Sequence, residues 1–401
     1  MPIPSSIATV KTRQTEYKAV RYARKLISMP SVTPEDGGCQ KWINEKLQTL
    51  GFSIDCWQSQ GVTNTVAVLG KGSRRLALAG HTDVVPPGAM ENWIVDPFAA
   101  RIIGDCLYGR GAVDMKSGVA VMLAALEDQL TACGLPRDLQ VQVLLTSDEE
   151  GEAEHGTIDI VRHLQAMNAL PDYCLIAEPT AATRSGDAIR IGRRGAVSCR
   201  MTLTGKQGHV AYPDSTVNAI ILAQQVIASL QGLEWDNGSD DFPGTCLQIT
   251  WIHSGAFVDN LVPGRCELCF NVRFSHRYSV TDIQSRIETE LAMAFGSRDA
   301  VYYQLQWDRV CDAYFTPAGL DDSLIHRVEQ AVNAVTGTYP RLSTSGGTSD
   351  GRFLASEQTQ VVELGLPNAT IHQVNERVSL EDIMTLYRIY RHLLSGFWGS
   401  V

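Results

Sequence analysis

Short apolar runs alternate with helical patterns along the first half of this chain, and the runs stop abruptly at ionisable side chains. TVAVLG, RRLALAG, LQVQVLLTS and DYCLIAE read as strands, while SGVAVMLAALEDQL, between the second and third, reads as a helix. Strands that take turns with helices build a largely parallel sheet with covered faces, so the expected class is α/β with a mainly parallel sheet. Upstream, EYKAVRYARKLISM and QKWINEKLQTL repeat apolar residues near a 3.6-residue period on either side of the loop SVTPEDGG, so residues 17–50 read as a helix with a cap region.

From about Gly195 the texture changes. AVSCRMTLTG alternates with period two, STVNAIILAQQVIASLQGL is a long amphipathic helix, TCLQITWIHSG and RCELCFNVRFS are strands, and VTDIQSRIETELAMAF is a second helix. This order predicts a compact antiparallel sheet with helices on one face, an α+β, ferredoxin-like domain inserted over 195–308. LIHRVEQAVNAVTG and TQVVELG then return to the first domain, which would comprise 1–194 and 309–401. A length of 401 residues agrees, since single cores usually stop growing well below that size.

The formal net charge of −10 lacks the basic footprint that nucleic acid or an anionic membrane requires, so neither is an expected partner. An anionic substrate would have to be held by local arginines. The N-terminal stretch MPIPSSIATVKTRQTEYKAVRYARK has no apolar core of the length a secretory leader needs, and no apolar span of roughly 18 residues occurs anywhere. Ten cysteines scattered singly suggest free thiols in a reducing compartment, and the cytoplasm is the expected location. The one CxxC, Cys266 with Cys269, lies in a strand pattern, where such a pair points to opposite faces; packing rather than chelation is expected.

The residues just after each strand carry the chemistry. RRLALAG is followed by His81, Thr82 and Asp83. Asp114 sits in a glycine-flanked turn just before a helix, and Asp148, Glu149 and Glu150 come after LQVQVLLTS. Glu178 ends DYCLIAE, and His372 lies in NATIHQVNE near a late β-like segment. Loops at the carboxyl ends of neighbouring parallel strands converge on one crevice. The intervals between His81, Asp114, Glu150 and Glu178 are each roughly 30 residues, about one βαβ unit. A lone histidine or aspartate at a strand end is most often a turn or cap residue, but five such places point to one shared site. Converging carboxylates repel one another and raise each other's pKa unless a cation joins them. Two divalent ions resolve the repulsion: with Asp114 bridging, each ion has a histidine, the shared carboxylate, one carboxylate of its own and a position left for water. Asp83 is placed to orient the imidazole of His81.

GHTDVVPPG, LYGRGAVDMKSGVA, TSDEEGEAEHGT, EPT, GRRG, GKQGHVAYP, STSGGTSDGRF and NATIHQVNE together resemble the di-zinc amidohydrolases of the aminoacylase and carboxypeptidase-like superfamily. The likeness runs from about Tyr17 to the C-terminus, with residues 1–16 an extension outside it. It implies a zinc-peptidase-like catalytic domain with an inserted dimerisation lid, two Zn²⁺ with Co²⁺ able to substitute, and a homodimer. His81, Asp114 and Glu178 would hold one ion, and Asp114, Glu150 and His372 the other. Glu149 would be the general base and Asp83 would orient His81. His209 would reach the partner subunit's site to hold the oxyanion. Arg193, Tyr212, Asn260, Arg273, Gly347, Thr348 and Asn368 match substrate-binding positions. The implied reaction is hydrolysis of N-succinyl-LL-2,6-diaminopimelate to succinate and LL-2,6-diaminopimelate, in diaminopimelate and lysine biosynthesis. The alternative is another superfamily deacylase or dipeptidase, such as an acetylornithine deacetylase. Two departures bear on substrate preference: Ala196 stands where the family pattern GRRGS has a hydroxyl, and Asp259 where a second asparagine is common.

Overall fold

The computed structural model describes residues 18–295, 302–319 and 323–399; the expected 1–16 extension lies outside them. In chain order the main elements are α1 (residues 18–27), α2 (Cys39–Thr49), β1 (Ser53–Ser59), β2 (Val62–Leu69), β3 (Arg74–His81), α3 (Lys116–Cys133), β4 (Leu139–Thr146), α4 (Thr157–Ala166), β5 (Tyr173–Ile176) and β6 (Ala188–Arg190). They continue with β7 (Gly195–Thr204), α5 (Ala219–Gly232), β8 (Cys246–His253), β9 (Arg265–Phe274), α6 (Val280–Phe295) and β10 (Tyr302–Cys311). The last are α7 (Leu324–Thr336), β11 (Arg341–Ser343), β12 (Gln360–Glu363) and α8 (Leu380–Phe397). The described residues fall into two compact units: those within 1–192, 316–343 and 349–401 form the first, and those within 193–315 with 344–348 the second. The second unit is thus wider than the 195–308 expected from texture alone, and it takes in a short return segment that no change of pattern announces.

The first unit is built on an eight-stranded sheet in the order β1-β2-β4-β3-β5-β12-β6-β11. Its middle strands, β4, β3, β5 and β12, are parallel, while β1, β2 and β4 pair antiparallel at one side. Leu76 to Ala79 of β3 are all buried although successive side chains point to opposite faces, so both faces of the sheet are covered. Helix α3 is buried through most of its length, from Lys116 to Leu126, which explains a sequence apolar all round rather than on one stripe. It packs against β3 and α8.

Two expectations need correction. His81, Asp114 and Glu150 do not lie one βαβ unit apart. All three belong to the single unit β3–α3–β4, in which a long connection holding a small sheet of Arg101–Ile103, Cys106–Tyr108 and Arg377–Ser379 separates β3 from α3. His372 is not beside a strand of the main sheet either. It sits in a turn after β12, with a left-handed φ of 58°, where apolar neighbours in sequence mimic a strand pattern.

In the second unit, β7, α5, β8, β9, α6 and β10 follow the βαββαβ order, and the sheet order β8-β9-β7-β10 makes it ferredoxin-like. Val197, Cys199, Met201 and Leu203 alternate onto the helix-covered face, where they meet Leu222, Val226, Ile283, Ile287 and Leu291. Cys266 is buried in that core and Cys269, three residues on, is only half-buried on the other face. All ten cysteines are free thiols.

Candidate metal centre

Three adjacent parallel strands deliver most of the site. His81 is the last residue of β3, paired in register with Thr146 of β4, so the turn after β4 brings Glu149 and Glu150 alongside it. β5, on the other side of β3, ends two residues before Glu178. Asp114 arrives on the turn that opens α3.

The two oxygens of Asp114 are divided between the two histidines. Oδ1 lies 3.0 Å from Nε2 of His81, and Oδ2 lies 3.3 Å from Nε2 of His372. The His81 nitrogen also faces Oε1 of Glu178 at 3.5 Å, and the His372 nitrogen faces Oε1 of Glu150 at 2.9 Å. Asp114 therefore stands between two pairs of side chains, His81 with Glu178 and His372 with Glu150.

The chemistry of the donors calls for a cation. Nδ1 of His81 lies 2.9 Å from the backbone carbonyl of Asp83, which can only accept, so Nδ1 carries the proton. In a neutral imidazole Nε2 then has a bare lone pair, and it points at two carboxylates. Lone pair against carboxylate is tolerable only when a proton or a metal ion lies between. The same contacts shift the titration of the groups. Burial opposes a charge on His81, but the hydrogen bonds to Asp114 and Asp83 outweigh it and lift its pKa well above the ordinary 6.5. His372, bonded to Asp114 and Glu150, is pushed up to about 10. Burial raises the carboxyl of Glu149, with the charge of Glu178 adding to it, and burial with the charge of Asp114 raises Glu150. Oxygens and imidazole nitrogens of His81, Asp114 and Glu150, and of His81, Glu149 and Glu178, lie within 4.8 Å of one another, close enough to share an ion. The residues fit a pair of divalent metals.

Asp83 acts on both sides of this cluster. It is fully buried, its backbone carbonyl holds His81, and its carboxylate accepts the amide N–H of Glu149 at 3.4 Å and of Glu150 at 3.1 Å. One residue thus orients a candidate ligand through its backbone and fixes the turn bearing another through its side chain. Glu149 and Glu150 are adjacent on that turn but face different partners, since Glu150 meets His372 whereas Glu149 groups with His81 and Glu178. Two buried residues that sequence patterning does not single out, Arg110 and Glu376, also bind the loops of this cluster. They stand inside LYGRGAVDMKSGVA and NATIHQVNE, but nothing in their spacing reveals that they meet.

Asn368 belongs to the first unit, where its backbone N–H donates to Ala181. The other expected substrate residues lie in the second. Arg193 is buried and its Nη1 donates to the carbonyl of Gly347 at 3.3 Å, with Thr348 next in sequence. His209 stands on a two-stranded ribbon, Gly208–His209 against Leu261–Val262. The carbonyl of Asn260 on that ribbon accepts the N–H of Val210, and the ring of Tyr212 lies 5.8 Å from that of His209. Nδ1 of His209 accepts the N–H of Ala211 at 3.1 Å, so the proton of the neutral ring is on Nε2. Arg273 pairs in register with Ala196, and burial and the neighbouring Arg194 guanidinium lower its pKa. Ala196 is buried and Asp259 is exposed.

Residues 77–396 match the sequence profile of Peptidase family M20/M25/M40. The chain is 57% identical over 378 residues, 94% of its own length and all of its relative's, to succinyl-diaminopimelate desuccinylase 2 of Shewanella loihica. It is 46% identical, over 98% of this chain and 99% of the relative, to succinyl-diaminopimelate desuccinylase 1 of Alteromonas mediterranea. Among solved structures, an M20 family metallo-carboxypeptidase from Sulfolobus solfataricus superimposes with a TM-score of 0.76 at 15% identity, covering 94% of this chain and 98% of the other. A dinuclear metal-binding M20 peptidase from Bacillus subtilis does so with a TM-score of 0.69 at 15% identity, covering 97% and 100%.

Proposed function

The chain belongs to peptidase family M20/M25/M40, and from that premise we infer that it is a succinyl-diaminopimelate desuccinylase, a hydrolase of diaminopimelate and lysine biosynthesis. It splits the amide of N-succinyl-LL-2,6-diaminopimelate into succinate and LL-2,6-diaminopimelate. Full-length relatives that carry this name support the substrate. The observation that carries the chemistry is the division of Asp114 between His81 and His372, each with a carboxylate of its own.

His81, Asp114 and Glu178 would hold one ion and Asp114, Glu150 and His372 the other; the nitrogen and oxygen donors suit Zn²⁺, with Co²⁺ as a substitute. Bound there, the metals would supply Lewis acidity to the amide carbonyl and lower the pKa of a water. Glu149, uncoordinated in this assignment, takes the proton of the attacking water on its carboxylate and returns it to the leaving nitrogen. Asp83 keeps His81 and the 149–150 turn in place. His209, whose Nε2–H is the free donor of its ring, holds the charge that develops on the amide oxygen. Arg193 and Arg273 take the substrate's carboxylates. The crowding of Arg273 by Arg194 supports this, because an anion relieves the repulsion between adjacent guanidiniums. Tyr212, Asn260, Gly347, Thr348 and Asn368 line the substrate.

The active form is a homodimer joined through the second unit, whose edge strand β8 exposes Trp251 and Ile252, and whose helix α5 exposes Ile220 and Ile221. The cytoplasm suits ten free thiols. Among the described residues no helix is long and apolar enough to cross a membrane.

The test pairs substrates with metal content. Succinate release from the N-succinyl substrate should exceed acetate release from the matched N-acetyl compound by about 10⁴-fold, because a site that pairs a substrate's polar group loses that much when the group is absent and its own polar atoms are left unpaired. Removing metal with a chelator should abolish turnover, and adding Zn²⁺ or Co²⁺ should restore it. Equal acyl preference would favour the general deacylase, and full turnover without metal would overturn the dinuclear reading.

A further inference from the structure

Arg110 and Glu376 form an ion pair in the first unit, 2.7 Å from Nη1 to Oε2, with both residues almost wholly buried. Burying two charges is costly unless their remaining donors and acceptors are met. Here all but the Nε of Arg110 are met, by the backbone of the loops that carry the metal cluster. Oε2 of Glu376 accepts the N–H of Gly111 at 3.0 Å, and Oε1 accepts those of Val113 at 2.7 Å and Asp114 at 3.1 Å. The carboxylate therefore grips the turn that presents the shared aspartate. The other partner reaches further. Arg110 donates from Nη1 to the carbonyl of Gln373 at 3.3 Å, and from Nη2 to the carbonyls of His372 and Pro86 at 3.4 Å each. Those carbonyls lie on the loop of His372 and on the loop that leaves His81. Trp93 covers the guanidinium, its ring centre 5.4 Å away.

The loop so held is one that would not keep its shape alone. His372 and Asn375 both have left-handed backbones, with φ of 58° and 63°. Non-glycine residues persist in that region only where their surroundings over-determine it. The fork of Arg110 on His372 and Gln373 supplies that constraint, and so does the side chain of Asn375, which accepts the N–H of Ile94 and donates to the carbonyl of Asn92.

We propose that the Arg110–Glu376 pair is a positioning device for the dinuclear centre, tying together the loops of His81, Asp114 and His372 so that Asp114 can serve both ions. This rests on the dinuclear reading of the site. Neither residue touches the reacting atoms, and the consequence is specific: loss of the pair should weaken metal binding in proportion to each half-site's dependence on the clamped loops. Glu150 and Glu178 sit on turns that Arg110 and Glu376 do not contact in these hydrogen bonds. The half-site containing His372, whose own carbonyl is held, should suffer most.

The experiment is a calorimetric titration of metal-free full-length protein with Zn²⁺, alongside thermal melting of the same samples. Wild type should take up two ions, and His372→Ala identifies which step belongs to its half-site. Glu376→Gln should weaken both steps, by about 10- to 100-fold at the His372 step, the range typical for residues that orient metal ligands. Arg110→Lys keeps a charge opposite Glu376 but lacks the fork, so it should weaken the His372 step most, with a smaller loss at the His81 step through Pro86, and it remains informative if Glu376→Gln fails to fold. Leu386→Ala, a fully buried change in α8, should lower the melting temperature and leave both metal steps where they were. If the clamp variants melt lower yet bind both ions as wild type does, the pair is only support for the fold and the proposal fails. If wild type itself binds no pair of ions, the dinuclear reading falls and this inference with it.

Discussion

Glu149 and Glu150 share a peptide bond and the same anchoring carboxylate, yet they face different partners, and the proposed roles of base for Glu149 and ligand for Glu150 rest on that difference. The amide N–H groups of both are held by Asp83, which fixes the turn while leaving each side chain free to take its own direction. Glu150 turns to His372 at 2.9 Å. Glu149 turns to the side of His81 and Glu178, where burial and the charge of Glu178 make its carboxyl hold a proton more strongly than an exposed glutamate does. Replacing Glu149 by glutamine preserves shape and removes the proton acceptor. Glu149→Gln should lower kcat on the order of 10²-fold or more, the usual contribution of a general base, while the purified protein keeps both ions. Elemental analysis beside steady-state kinetics checks this. Loss of one ion would show that Glu149 is itself a ligand.

At the level of elements, the strands and helices with strong periodicity are readable from sequence, and the connections that shape the site are not. β3, β4 and α3 are long apolar segments and β5 a short one, all with little exposure, so the placement of His81, Glu149, Glu150 and Glu178 at strand ends can be read from sequence. The three-stranded sheet of Arg101–Ile103, Cys106–Tyr108 and Arg377–Ser379 is invisible there, because strands of three residues have no period and one comes from the far end of the chain. For the same reason the turn of His372 resembles a strand, and Glu376 gives no sign that it captures backbone N–H groups near Asp114. Close packing is equally silent in sequence. Gly118, in the first turn of α3, lies so near β5 that an added Cβ would stand 2.5 Å from the carbonyl oxygen of Ala177. Alanine is the better helix former by about 1 kcal/mol, but overpacking costs about 1–3 kcal/mol, and the atom in the way is backbone that cannot swing aside. Strain should win. Gly118→Ala should lower the melting temperature, and because Ala177 precedes Glu178 it should also weaken metal binding by parting Glu178 from Asp114. A melting temperature equal to or above that of wild type would mean that helix and strand separate without cost.

For the whole molecule, the second unit raises the question of what its exposed apolar surface is for. Its helices cover one face of the sheet, but β8 remains an edge, and an uncovered edge strand with Trp251 and Ile252 beside it invites pairing with another chain. Phe257 and Val258, on the connection leading from β8 back to the His209 ribbon, are exposed as well. Apolar groups so placed support a second copy of this chain as the occupant. Such a dimer would give a role to a histidine that is exposed and whose Nδ1 is taken up by Ala211: His209 would serve the site of the partner subunit. Subunit exchange tests this directly. Glu149→Gln chains lack the base but carry His209, and His209→Ala chains carry the base but lack the donor, so each homodimer should be nearly inactive. In a mixed dimer, the site with the intact Glu149 receives the intact His209 from across the interface. Activity per mixed dimer should approach half that of wild type, and an equal mixture at exchange equilibrium should reach about a quarter, since half of its dimers are mixed. Exchange must be proven separately, for example with a tag on one variant. A mixture that exchanges fully and remains as inactive as its parents would mean that His209 serves its own chain or has no part in the reaction.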